Sequence, residues 1–202
     1  MKVAVIGTGR IGSRLARLLA DAGHTVLVAN SRGRNSLAAL VTSLGPAASA
    51  HSVVDAAGLA EVVVLAVPFA ATQDLFPPEV VTGKILVDAS NKFRSEDSGA
   101  TSSEQLAAWY PGASVVKSFN TMHFEALEAA GVEPRLAHFV AGDDDAAKKT
   151  VAGLIESIGF DVIDTGDLRT GSRLQQPGGP LFNILLTADQ ARGRLAAAHG
   201  RN

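Results

Sequence analysis

The sequence predicts an α/β fold built on a doubly wound parallel sheet, and three observations carry that prediction. Short runs rich in Val, Ile and Leu alternate with helix-like stretches, the runs are nearly unbroken by polar residues, and a glycine-rich turn separates the first run from the first helix. Alternation of this kind reads as βαβ units. Unbroken apolar runs are what strands need when helices cover both faces of their sheet.

In chain order, VAVI at 3–6 reads as a strand and 11–22 as an amphipathic helix, then VLVA at 26–29 as a strand and 36–44 as a helix. Further strands are read at 62–67, 85–87 and 115–116. Gly131 and Pro134 mark a turn, followed by a strand at 138–141, a helix at 143–158 and a last strand at 161–164. The expected division is a nucleotide-binding part at 1–130 and a small C-terminal α/β portion at 131–202. SEDSGATSSEQ at 95–105 is polar enough to be expected as a mobile surface loop.

The 18 basic and 20 acidic residues give a formal charge of −2, which offers no broad footprint for nucleic acid or an anionic membrane. The absence of cysteine excludes disulfides, thiolate zinc sites and a cysteine nucleophile, and it removes the clearest marker of an oxidising compartment. Gly7 and Arg10 interrupt the opening apolar run too early for a secretion signal, and no later run approaches membrane-span length. The chain is expected to be cytoplasmic.

VAVIGTGRIGSRLARLLADAG places Gly7, Gly9 and Gly12 between the first strand and the first helix. In that context the first glycine permits a tight turn, the second lets backbone approach a pyrophosphate, and the third lets helix and strand pack closely. Amides at the helix start then meet the anion. A dinucleotide cradle of the Rossmann type is therefore expected, with Thr8, Arg10 and Ile11 beside the glycines.

NAD-binding versions of this arrangement carry an acid at the end of the second strand, about 20 residues beyond the glycines, to accept the ribose hydroxyls. Asn30 stands in that place, followed by Ser31 and Arg32. A carboxylate would repel a 2′-phosphate, whereas an amide, a hydroxyl and a forked guanidinium would receive it. The expected cofactor is NADP(H). Arg34 and Asn35 read either as further contacts or as ordinary loop residues.

Ligands of open α/β sheets sit beyond the carboxyl ends of the strands. Val67 and Pro68 stand at the end of one run, Asp88, Ser90, Asn91 and Lys92 follow another, and Lys117, Asn120, Met122 and His123 a third. Val67 and Pro68 are suited to apolar contact with the dinucleotide. Asp88 also reads as a turn-closing residue, and Lys117 as half of a structural ion pair or as a catalytic group. Asn120 can both donate to and accept from a heterocycle or carboxamide. His123 reads as a general acid or as a loop histidine. No metal site is expected, since His51, His138 and His199 lie far apart and GDDDAAKK reads as an acidic helix start.

These segments, MKVAVIGTGRIG, NSRG, AVPF, VDASN, VVKSFNTM, AGDDDAAKKTV and DTGDLRTGSRLQQPGGPLFNILL, give the whole chain a resemblance to the coenzyme F420-dependent NADP oxidoreductase family. The resemblance implies hydride exchange between NADPH and the 5-deazaflavin F420, a C-terminal portion that closes over the nicotinamide, and a homodimer. It implies that residues 8–11 and 31–32 hold NADP. It also implies that Pro68, Asn91, Asn120, Met122 and residues 168–181 line the acceptor pocket. The chain departs from archaeal members at LQQPGGPLFN, where Gln175 and Gln176 replace an acid. A flavin, a quinone-like compound or an imine or carbonyl therefore stays open as acceptor. Ketone reduction demands a proton donor at the forming alkoxide, whereas a flavin or deazaflavin carries its own electron sink. A non-catalytic NADP(H) sensor, using the polar segment around Gln175 as an interaction surface, is the reading from another class.

Overall fold

The computed structural model describes residues 1–93 and 99–199. The glycine turn joins β1 (Lys2–Ile6) to α1 (Arg10–Asp21), and β2 (Thr25–Ala29) leads through a 3-10 turn at Arg34–Leu37 into α2 (Ala38–Leu44). Then come β3 (Ala48–Ala50), α3 (Val53–Leu59), β4 (Val62–Leu65), β5 (Ile85–Asp88), α4 (Ser102–Trp109) and β6 (Ser114–Lys117). The chain continues through β7 (Ala137–Gly142), α5 (Asp145–Ser157), β8 (Asp161–Asp164), α6 (Gly171–Gln175) and α7 (Ala188–His199).

The strands form one sheet in the order β3-β2-β1-β4-β5-β6-β7-β8. All neighbours are parallel except β6 and β7, which pair antiparallel through Val116 with Gly142 and Lys117 with Ala141. The chain reverses direction around β1, where β2 and β3 lie on one side and β4 on the other, and this switch point opens a crevice at the strand ends. The sheet thus runs continuously across the expected division near residue 130.

Both faces are covered, as the unbroken apolar runs require. On one, Val3, Val5, Val26, Val28 and Val64 pack against Leu15 and Leu19 of α1 and Val151, Leu154 and Ile155 of α5. On the other, Ala4, Ile6, Val63 and Leu86 pack against Ala56 and Ala57 of α3 and Leu106 of α4. Phe139, Ile163, Leu181 and Ala191 form a smaller core under the C-terminal segment.

The polar stretch at 95–105 departs from the surface-loop expectation. Residues 95–98 lie outside the described residues, but Thr101 caps α4 in a reciprocal capping box with Glu104, and Ser102 and Ser103 are buried. Their hydroxyls turn inward because a buried carboxylate, Asp88, accepts from both at 2.7 Å.

His138 of β7 is fully buried, with the rings of Phe119 and Phe160 at 5.2 and 4.6 Å and neither ring nitrogen bonded to a described residue. Burial alone pushes its pKa down to about 3, so the ring is neutral. Because the unfolded chain binds a proton near its ordinary value of about 6.5, this contribution is fully present above that pH and declines as pH falls toward the folded value. The slope is about 1.4 kcal/mol per pH unit. His138→Leu should flatten that decline, so that between pH 7 and 5 the wild type loses about 2 kcal/mol more than the variant in denaturant titrations.

Candidate functional site

At the sheet's switch point the chain builds a cleft of about 510 Å³. Gly7, Thr8 and Gly9 line it, facing Asn30, Ser31 and Arg32 after β2 and Ala66, Val67 and Pro68 after β4, with Val53, Ala71 and Leu75 completing the wall. Most of the residues expected to hold the dinucleotide therefore meet in one place. Arg10, Ile11, Gly12 and Asn91 do not line it. The guanidinium of Arg10 lies over the Phe124 ring at 4.9 Å, and Ile11 packs against the core.

The glycines differ in what they allow. Gly7 has φ +98, and a Cβ there would lie 2.3 Å from the Ala66 carbonyl oxygen. Gly12 closes the turn, since a Cβ would lie 1.8 Å from the Gly7 oxygen. Around Gly9 a Cβ would meet no atom of a described residue beyond its chain neighbours within 4 Å. Helix α1 has Gly9 at its cap, no side-chain cap and no acid in its first turn, which leaves its leading amides for an anion. The cradle therefore fits a pyrophosphate. Gly9→Ala should weaken dinucleotide binding with little change in melting temperature, because its methyl group intrudes only on ligand space. An unchanged dissociation constant would make the glycines merely a turn.

Asn30 has a more specific role than its missing charge implied. Its Nδ2 donates to Thr8 Oγ1 at 3.0 Å, and its Oδ1 accepts from the Arg32 amide at 2.9 Å and Ser36 Oγ at 3.1 Å. The side chain is thus occupied in tying the glycine turn to the loop after β2. Ser31 and Arg32 are exposed at the cleft, whereas Arg34 pairs with Asp55 of α3.

The later strand ends form a row. Ile6, Leu65, Asp88 and Lys117 are register partners across β1, β4, β5 and β6, and adjacent strands about 4.8 Å apart make that row about 14 Å long. Gly9, Pro68, Asn91 and Asn120 follow at the same offset. Asn91 and Asn120 bond reciprocally, Asn91 Nδ2 to the Asn120 carbonyl and Asn120 Nδ2 to Asn91 Oδ1, both at 3.0 Å. Asn120 Nδ2 also donates to the Gln175 carbonyl at 2.8 Å, which fastens the C-terminal segment to the strand ends. The Asn120 side chain is buried, with Oδ1 unbonded to any described residue. His123 is exposed beside Phe124, and Met122 is buried.

Lys117 and Asp88 are an ion pair at 3.0 Å, each side chain 1% exposed, so the structural reading of Lys117 is the one its geometry favours. Asp88 also closes its turn by accepting from the Ser90 amide at 2.9 Å. Tyr110 is buried and donates to the Thr72 and Gln73 carbonyls. Gln175 is fully buried, its Nε2 donating to Thr165 Oγ1 at 2.8 Å, and so is no exposed interaction surface. In GDDD, Asp144 caps α5, its Oδ1 accepting from the Ala146 and Ala147 amides.

A second cavity of about 460 Å³ lies between Lys92, Phe93, Gly99 and Ala100 on one side and Arg173 with residues 176–180 on the other. Of the residues that the resemblance assigns to an acceptor pocket, Arg173 and 176–180 line this cavity, whereas Pro68, Asn91, Asn120 and Met122 do not; sequence reasoning missed Val53, Ala71 and Leu75 of the first cleft. These apolar residues carry no motif, and only the packing of α3 beside β1 brings Val53 near the glycine turn.

Residues 2–92 match the family model described as NADP oxidoreductase, coenzyme F420-dependent. The hypothetical protein SMa0349 of Sinorhizobium meliloti is 37% identical, with a TM-score of 0.84 over 94% of this chain and 96% of that one. A structure from Arthrobacter sp. fb24, provisionally named an F420-dependent NADP-reductase, is 30% identical, with a TM-score of 0.73 over 100% of this chain and 92% of that one. Metalloreductase STEAP3 of Rattus norvegicus is 30% identical over 176 residues, which cover 86% of this chain and 36% of STEAP3. The chain thus spans little more than a third of that curated relative.

Proposed function

Since this chain belongs to the coenzyme F420-dependent NADP oxidoreductase family, we propose that it transfers a hydride between NADPH and coenzyme F420. Membership makes it an NADP-dependent oxidoreductase; the acceptor is the proposal. The observation that carries it is the occupation of Tyr110 and Lys117, two side chains that ketone chemistry would call on, while His123 stands exposed. Tyr110 is bonded to backbone carbonyls and Lys117 is locked to Asp88. A deazaflavin delocalises the incoming electron pair in its own ring and needs no proton donor at the receiving carbon.

In this reading the α1 amides and Gly9 hold the pyrophosphate, and Ser31 and Arg32 take the 2′-phosphate. Val67 and Pro68 give the nicotinamide a stiff apolar wall. When bound, the reduced nicotinamide supplies the hydride. Asn91 and Asn120, bonded to each other and to Gln175, position the acceptor side, and the cavity between Lys92, Phe93 and residues 176–180 receives the acceptor ring. The protein's contribution is alignment and exclusion of water, which proximity alone makes effective. The reading includes a cytoplasmic homodimer whose residues 131–202 serve acceptor binding and dimerisation.

The test follows nicotinamide absorbance with F420, FMN, a quinone, and imine and carbonyl compounds as acceptors. F420 should oxidise NADPH fastest. Oxidation by another acceptor and not by F420 would overturn the acceptor assignment, and oxidation by none would favour an NADP(H) sensor.

A further inference from the structure

One rim of the NADP cleft is formed by two elements that face each other. Ser31 and Arg32 line it from the loop after β2, and Val53 lines it from the start of α3. Two residues further along each element Arg34 and Asp55, which do not themselves line the cleft, meet in an ion pair, with side chains 56% and 49% exposed. Both residues have fixed backbones. The Asp55 amide donates to Ser52 Oγ at 3.1 Å in the capped first turn of α3. Arg34 opens the 3-10 turn in which Ser36 Oγ donates to Asn30 Oδ1 and the Gly33 carbonyl. The Ser52 hydroxyl, and after it the Arg34 guanidinium, hold the Asp55 carboxyl below the usual carboxylate range, so it is an anion at neutral pH.

We propose that Asp55 is a specificity-setting residue for the cofactor: it holds Arg34 when the cleft is empty and competes with the 2′-phosphate of NADP(H) for that guanidinium. The inference rests on the NADP(H) reading above. An exposed one-to-one ion pair contributes little and exchanges easily. A phosphate monoester carries about −1.5 to −2 charges at neutral pH and presents several oxygens to a planar fork of donors. Arg34 therefore exchanges its carboxylate for the phosphate as NADP(H) enters, and Arg32 and Arg34 bind the phosphate together. Asp55 is then left as a fixed negative charge on the same rim as a second anion, and like charges repel within a screening length of about 8 Å at physiological salt. NADH, which lacks the phosphate, leaves the Arg34–Asp55 pair undisturbed.

The experiment is calorimetric titration of NADPH and NADH into the full chain and its D55N, R34A and D55N/R34A variants. Asn keeps the shape of Asp and the hydrogen bond from its backbone N–H to Ser52 Oγ, so the fold is preserved. Asp55→Asn should tighten NADPH binding about threefold to tenfold and leave NADH binding unchanged. Arg34→Ala should weaken NADPH binding, and the D55N gain should shrink in that background, which the double-mutant cycle reads as coupling. Unchanged or weaker NADPH binding in D55N would overturn the competition. Weaker binding would show instead that Asp55 presents Arg34 to the phosphate. A wild type that binds NADH as tightly as NADPH would overturn the NADP(H) reading itself and the competition with it.

Discussion

Lys117→Ala is expected to cost about 3–5 kcal/mol of folding stability, because it leaves a buried carboxylate without its cation. The Asp88 side chain is 1% exposed, and Lys117 Nζ donates to it at 3.0 Å. The same ammonium donates to the Ser90 carbonyl and to Ser102 Oγ at 2.9 Å, so every one of its protons is placed. Asp88 receives further bonds from Ser90 Oγ at 2.6 Å and from Ser102 and Ser103 Oγ at 2.7 Å. Burial alone would raise its pKa, but Lys117 and the three hydroxyls outweigh burial and hold it below the usual range. Its contribution is thus fully present above the unfolded value of about 3.9 and is lost as pH falls through the folded one. The Asp88→Asn/Lys117→Met double variant should recover much of the loss, since removing both charges removes the desolvation penalty. Denaturant titration of the three proteins measures this. A loss below about 1 kcal/mol in Lys117→Ala would mean that the serine hydroxyls suffice to hold the carboxylate.

Arg32→Ala should weaken NADPH binding by about 1.5–3 kcal/mol, on the order of tenfold to a hundredfold, and leave NADH binding unchanged. Arg32 is exposed at the cleft, and its backbone amide is fixed by Asn30 Oδ1 at 2.9 Å. The loop is therefore set before cofactor arrives, and truncating the guanidinium removes a charge-assisted contact without disturbing its frame. Equal NADPH affinities in the two proteins would remove Arg32 from the site.

The contrast between Arg32 and Asp88 shows how much of the molecule was legible in its sequence. Gly7, Gly9 and Gly12 announced the turn, and apolar runs announced seven of the strands, because backbone geometry and two-sided burial leave local signatures. Strand β3, only Ala48–Ala50 and half-buried, carries no such run. Helix α4 was hidden by hydroxyls that read as surface and turn inward to Asp88. Asn120 stood out at its strand end, but not the bonding of its amide to Asn91 and Gln175, because these partners come from distant parts of the chain. Local pattern reports what one segment buries. It cannot report which polar groups folding brings together.

The most direct test of the central claim uses NADPH deuterated stereospecifically at nicotinamide C4, mixed with the protein and F420 in a single turnover. The carbon at the centre of the deazaflavin keeps a transferred deuterium, so the label survives isolation of the reduced acceptor. Direct transfer predicts that deuterium from one face of the nicotinamide appears on that carbon and that label on the other face stays with the oxidised cofactor. Recovery of the transferred label in water, or of F420 unreduced beside intact NADPH, would contradict it.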